Sequence, residues 1–219
     1  MGTPAQRKGS LRRSGGAKQL GRPPGATAED TVKRVVDAAQ EQFGMHGYSG
    51  ARMTEIASAA GITHSSVYQY FASKKELYQA AFQAALGELL PEYLEATVTQ
   101  ESLRDRLAAI MRASARAHHR SPAITPFLAS LPVELRRHPD LVPSLELLGG
   151  DLMTSLSTMF ADARRNDEIA PEVTDRDLLV GFIGSAMGIG LLSYALPDGD
   201  MAAAVEVVVA GLNGTLFRR

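Results

Sequence analysis

Ten polar side chains between residues 52 and 74 have the chemistry of a nucleic-acid contact. Hydroxyl, imidazole and amide groups can hydrogen-bond to phosphates or base edges, and arginine and lysine neutralise phosphate charge. The predicted DNA-binding residues are Arg52, Thr54, Thr63, His64, Ser65, Ser66, Tyr68, Gln69, Tyr70 and Lys74. For Arg52 and Lys74, a plain solvent-facing role is the alternative. Such a surface requires short, firmly held helices that present their first residues to a groove.

The first element that must support this surface is a long amphipathic helix. Thr27, with Asp30 three residues later, is typical of a helix N-cap, and Gly47 is expected to end the helix. Between them the apolar residues recur at three- and four-residue intervals, which is the period of one helix face. That apolar face comprises Val32, Val35, Val36, Ala39 and Phe43.

Two short helices separated by a turn are predicted next. The first spans Met53–Ala60 and is closed by Gly61, because glycine adopts the left-handed conformation of a helix end without steric cost. The second is capped by Thr63 and continues to Phe71, with Val67 facing the core. Two such helices joined by a glycine-containing turn are the pattern of a helix-turn-helix.

A resemblance to the TetR family of bacterial transcription regulators covers residues 32–82, with its centre in the segment IASAAGITHSSVYQYFASKKEL at residues 56–77. The segment includes Ser73 and Glu76, which have the spacing of a capping box at the start of a fourth helix. The resemblance implies a dimer that binds a palindromic DNA operator, with Lys74 as a phosphate anchor.

Two positions depart from the family pattern. Ala51 and Arg52 stand where the family usually has a small hydroxyl residue entering the second helix, so the expected cap is missing there. Ser65 replaces a glycine that is common near the start of the recognition helix. The operator preference therefore does not carry over from the family.

Composition indicates a globular protein of the cytoplasm. Hydrophobic residues make up 45% of the 219 residues, and there is no cysteine, which excludes disulfide frameworks and thiolate metal sites. Residues 1–28 hold six lysine and arginine residues and no acidic residue, a charge pattern suited to DNA or to a solvated tail. Met1–Gly25 lacks the apolar stretch of a secretory signal, so we expect no export. Gly21-Arg22-Pro23 resembles a minor-groove arm.

Beyond residue 90 the pattern stays helical, including one predicted helix over Leu145–Arg165, and no alternating run of β-branched residues indicates a sheet. We predict an all-α chain of about nine helices: a basic arm at 1–27, a three-helix helix-turn-helix domain at 28–90, and a ligand-binding and dimerisation domain at 91–219. Methionine and aromatic residues can line an apolar pocket, although they also fill cores. The candidate effector residues are Met111, Ser114, His118, Phe127, Met153, Ser157, Phe160, Phe182 and Met187.

Leu178–Leu196 is free of charge over 19 residues, a length that could cross a bilayer. Its glycines and the lack of a flanking basic cluster favour a buried helix and no membrane. The TetR resemblance implies that this helix and the next form a dimer interface, in which Gly184 and Gly188 allow a partner helix to approach closely. The candidate interface residues are Gly184, Gly188, Leu191, Val205, Val209 and Leu212.

We therefore expect a repressor that binds a palindromic operator as a dimer and is released by a small, largely apolar effector. A DNA-binding regulator without an effector is one alternative, and an enzyme with an accessory DNA module is another. The sequence lacks the motifs of serine hydrolases, zinc proteases and phosphate loops, and adjacent His118 and His119 point to different helix faces. We expect no catalytic residue, no cofactor and no metal.

Overall fold

The computed structural model describes residues 27–217, and every regular element in that range is helical. The ten α-helices are α1 Ala28–Gly50, α2 Met53–Ala59, α3 His64–Val67, α4 Lys74–Thr97, α5 Leu103–Arg120, α6 Ile124–Arg137, α7 Val142–Leu148, α8 Gly150–Arg165, α9 Asp175–Ala195 and α10 Met201–Leu212. A 3₁₀ turn at Pro139–Leu141 joins α6 to α7. The all-α prediction is confirmed. The predicted basic arm and its Gly21-Arg22-Pro23 motif lie outside the described residues, apart from Thr27.

The predicted helix ends are largely confirmed by their hydrogen bonds. Thr27 accepts from the amide of Asp30 while the Asp30 carboxylate accepts from the amide of Thr27, which completes a capping box. Gly61 has φ +69°, the left-handed conformation expected of it. Arg52 makes no side-chain cap at α2, in keeping with the missing hydroxyl. At α4, Ser73 accepts from Glu76, but the Glu76 carboxylate accepts from Ala72 rather than from Ser73.

Two predicted boundaries are wrong. The recognition helix α3 ends at Val67 instead of Phe71, because Gln69 and Tyr70 bond to carbonyls three residues back and the chain tightens into a turn. The predicted helix Leu145–Arg165 is broken at Gly149, which separates α7 from α8. The predicted stop at Gly47 is confirmed by its non-helical backbone, at φ 68° and ψ 174°, and a short helical extension follows it to Gly50.

The helix-turn-helix shares a core with α4, α6 and α7. Phe43 of α1 and Tyr78 of α4 pack edge to face with ring centroids 4.8 Å apart, and Phe127 of α6 lies 5.1 Å from Tyr78. Helix α4 is continuous across residue 90, where the domain boundary was predicted. Helix α1, which leads into the DNA-facing helices, is thus held directly by α6 as well as by α4.

Helix α9 is the element that departs most from its prediction. It is long and apolar enough to cross a membrane by length and composition, yet only 6% of that apolar window is buried inside the chain. Gly190 is its single fully buried residue. The prediction of a buried helix is therefore wrong for the single chain, which leaves an uncharged helix face uncovered.

Candidate DNA interface and effector groove

The predicted DNA-binding residues form a polar surface at the start of α2 and around α3. Six of them are exposed: Arg52, Thr54, His64, Ser65, Tyr68 and Gln69. Thr63 is the α3 N-cap; its hydroxyl accepts from the amide of Ser66 and lies 3.0 Å and 2.7 Å from the hydroxyls of Ser65 and Ser66. The first turn of α3 is therefore held by its own side chains and can present them to a groove.

Arg52, His64 and Tyr70 fit this surface to different degrees. The guanidinium of Arg52 is exposed beside Glu55, with 3.5 Å between the paired atoms, so it is available to a phosphate. His64 packs edge to face on Tyr68 with ring centroids 5.1 Å apart. Tyr70 is half-buried against the core, which leaves less of its side chain for DNA than the sequence suggested.

Lys74 is half-buried and bound to the end of α1 rather than projecting freely. Its ammonium donates to the carbonyl of Ser49 at 3.1 Å and lies over the Tyr48 ring, 5.2 Å from the centroid. Burial lowers the pKa of Lys74, an effect that the charge of Glu134 opposes. The predicted phosphate anchor thus also ties α4 to the end of α1.

A second tie, which the sequence reasoning missed, comes from α6. Glu134 is buried, and one of its carboxylate oxygens accepts from the backbone amide of Tyr48 at 2.9 Å. His138, at the end of α6, packs edge to face on Tyr48 and contacts the hydroxyl of Ser49 at 3.0 Å. The available signal was the position of Glu134 three residues after Leu131, which places it on the apolar side if the segment is helical.

A groove of about 980 Å³ lies between α5, the start of α6, the end of α9 and the start of α10. Ala115, Met201 and Val205 give it an apolar floor, and three arginines four residues apart along α5 line its wall: Arg112, Arg116 and Arg120. Arg112 forms a two-bond pair with Glu206, with both distances 2.7 Å. Arg120 pairs with Glu92.

Arg116 and His118 are the polar groups in this groove that are best placed for a ligand. Arg116 has no hydrogen bond or ion pair to any residue between 27 and 217. His118 contacts the Thr125 hydroxyl through Nδ1 at 2.8 Å, and burial lowers the pKa of its ring, which favours the neutral imidazole. The groove therefore combines an apolar floor with one unpaired cation.

The structure does not bring the nine predicted effector residues into one pocket. His118 lines the groove, and Met111 packs in the core beneath it. Phe127 belongs to the core below the helix-turn-helix, and Ser157 is exposed. A separate core between α5, α8 and α9 contains Met153, Phe160 and Phe182, whereas Ser114 is half-buried beside Tyr93 and Met187 is half-buried on α9.

The predicted interface residues divide into two groups. Gly184 and Gly188 have no atom within 4 Å of the point where a Cβ would stand, and Leu191 is half exposed. Val205 and Val209, in contrast, are buried in the chain's own core against α5, so they have almost no surface to offer a partner. Leu212 is 39% exposed, and Val207, at 53%, presents more surface on the open side of α10.

Residues 35–81, which contain this helix-turn-helix, match the family model of bacterial regulatory proteins of the tetR family. The helix-turn-helix domain belongs to the TetR family. The matched range includes α2, α3 and nearly all of the predicted DNA surface. Among the described residues, no group of three or more His, Asp or Glu side chains could hold a metal ion.

Curated relatives of the chain are HTH-type transcription regulators. The chain is 36% identical over 109 residues to the HTH-type transcriptional activator FasR of Mycolicibacterium smegmatis, covering 50% of this chain and 48% of that protein. It is 34% identical over 90 residues to the HTH-type transcriptional regulator BetI of Rhizobium meliloti, covering 41% and 44%. The chain thus matches about half the length of these relatives. Both are regulators rather than enzymes, in agreement with the prediction.

The whole fold has a counterpart in a solved structure of the regulator FadR from Bacillus subtilis in complex with stearoyl-CoA. The two superpose with a TM-score of 0.70 over 84% of this chain and 99% of that one. Sequence identity is 17%, so the likeness concerns the fold alone.

Proposed function

We propose that this protein is a dimeric, effector-controlled transcription regulator of the TetR family that acts on DNA in the cytoplasm. The observation that carries the proposal is the exposed polar surface of α2 and α3 within the segment that matches the family. Its small hydroxyl and amide groups at a helix start suit close approach to a major groove. Enrichment of a palindromic duplex from a random library by the purified protein tests it, and no enriched sequence would overturn it.

We propose that a second copy of the chain packs against the exposed face of α9. The open glycines Gly184 and Gly188 lie one helical turn apart and let another helix approach closely, and the exposed leucines beside them supply apolar area. A dimer also places two recognition helices about 34–36 Å apart, the spacing that successive major grooves require. Packing against a second chain accounts for the uncharged face of α9, so that no membrane is needed to explain it.

The effector site that we propose is the groove beside α5. Its apolar floor agrees with the predicted apolar effector, and unpaired Arg116 adds a requirement for an acidic group at one end. A related fold, FadR of Bacillus subtilis, was solved with stearoyl-CoA, an acyl chain joined to a phosphate-bearing carrier. We propose an amphipathic anion as the effector class.

The proposed direction of control is repression relieved by the effector. A ligand that favours a conformation with a different spacing of the recognition helices lowers operator affinity through its differential binding to the two states. FasR carries the name of an activator, so a reporter gene behind the selected operator, with and without the protein, tests the direction. A regulator without an effector remains the second candidate, favoured if no amphipathic anion changes operator affinity.

Arg52→Ala is expected to weaken DNA binding across all sequences and to make the plot of log affinity against log salt shallower by about 1, because one phosphate contact is lost. Titrations of the selected duplex at several salt concentrations measure both quantities. Arg104→Ala, an exposed arginine on α5, serves as the control and should change neither. An unchanged slope for Arg52→Ala would remove Arg52 from the phosphate contacts.

Arg116→Gln is expected to weaken the binding of dodecanoate about fivefold and to leave 1-dodecanol unaffected, because a half-exposed ion pair contributes about 1 kcal/mol. Calorimetric titration of the two probes separates the charge from the apolar chain. Arg104→Gln, on the same helix but outside the groove, is the matched control. Equal loss of both probes would contradict the role given to Arg116.

A further inference from the structure

Glu134 of α6 contacts the segment that leads into the DNA-binding helices. Its side chain is buried, one carboxylate oxygen accepts from the amide of Tyr48 at 2.9 Å, and the other would lie 2.8 Å from a Cβ at Gly47. Gly47 is thus left-handed, and a side chain at this position would clash with the carboxylate. The backbone at the end of α1 therefore leaves space for this one side chain.

Burying a carboxylate is costly unless other groups compensate it. Besides the amide of Tyr48, the groups nearest to Glu134 come from the end of α6, from the residue that follows it and from α4. The Arg137 guanidinium lies 3.5 Å from one carboxylate oxygen and the His138 ring lies 3.7 Å from the other, and the charge of Glu134 raises the pKa of Lys74 against the effect of burial. A hydrophobic residue would fill the same space without this desolvation cost. The carboxylate therefore matters for the positions of the groups that contact it.

The contacts made by Glu134 and its neighbours converge on Tyr48 and Ser49, two to four residues before the buried Ala51 and the N-cap Arg52. Lys74 donates to the carbonyl of Ser49, and His138 packs on Tyr48 and contacts the hydroxyl of Ser49. Lys75 adds a bond to the carbonyl of Asp140, in the turn after α6. The link between α1 and α2 is therefore fixed from α6 rather than by local contacts alone.

We propose that Glu134 is a positioning residue for DNA binding, which sets the orientation of α2 and α3 relative to the body of the protein. The consequence for DNA rests on the proposed function, but the orientation itself does not. Helix α6 also carries Thr125 in the wall of the effector groove, nine residues and about 14 Å from Glu134. Helix α6, which has Pro132 between these two residues, thus runs from the groove to the end of α1.

Distances between two spin labels within one chain test this role directly. Because the chain contains no cysteine, Ser58→Cys on α2 and Thr154→Cys on α8 give two unique sites, both exposed. Dilution with unlabelled protein makes distances within one chain dominate. In the wild-type background we expect one narrow distribution, and Glu134→Ala should broaden or shift it.

Glu134→Gln keeps an acceptor oxygen but loses the charge, so its hydrogen bond to Tyr48 is about half as strong and the broadening should be intermediate. Ile110→Ala, a core change on α5, controls for lost stability and should leave the distribution narrow while lowering Tm. Affinity for the selected duplex should fall at least tenfold in Glu134→Ala and remain unchanged in folded Ile110→Ala.

Wild-type distributions in both Glu134 variants would overturn the proposal, as would equal broadening in Ile110→Ala. If Glu134→Ala does not fold, the Gln variant alone decides. If the wild-type protein enriches no duplex, the proposed function fails, whereas the distance measurement still decides the role of Glu134.

Discussion

Gly184→Arg is expected to convert the proposed dimer into a folded monomer. No atom lies within 4 Å of a Cβ at this position, so the chain itself accommodates the new side chain, and an arginine in mid-helix is favoured over glycine by about 0.8–1 kcal/mol. A partner helix packed against the same face would meet a bulky, desolvated cation. Sedimentation equilibrium should then report the chain mass of 23.4 kDa instead of twice that value.

Affinity for the operator should fall when the dimer is lost. Two recognition helices joined in one particle bind the second half-site at high effective concentration, and a monomer loses that gain of about 100-fold or more. Gly87→Arg is a matched control, because Gly87 on α4 is also exposed and free of neighbours within 4 Å. It should remain dimeric. A dimeric Gly184→Arg variant with wild-type affinity would exclude this face of α9 as the interface.

The sequence predicted the helix-turn-helix in detail because its signals are local. Caps at Thr27, Thr63 and Ser73 and the left-handed Gly61 depend on residues three or four positions apart, and all four are found as expected. The end of α3 was missed because the choice between an α-helical turn and a tighter turn involves a small energy difference, decided by packing of Tyr70 and Phe71.

The side-chain partners of the site could not be predicted, because they depend on contacts distant in sequence. Lys74 bonds to a carbonyl 25 residues away, and Glu134 to an amide 86 residues away. Val205 and Val209 look like interface residues in an apolar helix, and which face of α10 packs on α5 becomes known only from the fold. Helix α9 shows the same limit, because an uncharged sequence does not reveal whether the surface that packs against it belongs to the same chain or to a second one.

Among glycine-to-alanine substitutions near the DNA-binding helices, Gly47→Ala is expected to lower the free energy of unfolding most. At φ 68° and ψ 174° the backbone occupies a region that is almost exclusive to glycine and costs other residues about 1–3 kcal/mol. The added Cβ would also stand 2.8 Å from a carboxylate oxygen of Glu134, which is anchored by the amide of Tyr48. We expect a total loss of about 2–4 kcal/mol in the free energy of unfolding.

For a chain of this size such a loss lowers Tm by about 4–16 °C, measured at one protein concentration because dimerisation contributes to apparent stability. Gly50→Ala, three residues later, is the matched control: its Cβ would make an ordinary contact with His46 at 3.4 Å, and its φ is not left-handed. Glu134→Ala in the Gly47→Ala background removes the clash but not the backbone strain, so the double variant should lose less stability than the two single losses added together. Strict additivity would show that the two residues do not meet in solution, and the carboxylate would then have no part in fixing the end of α1.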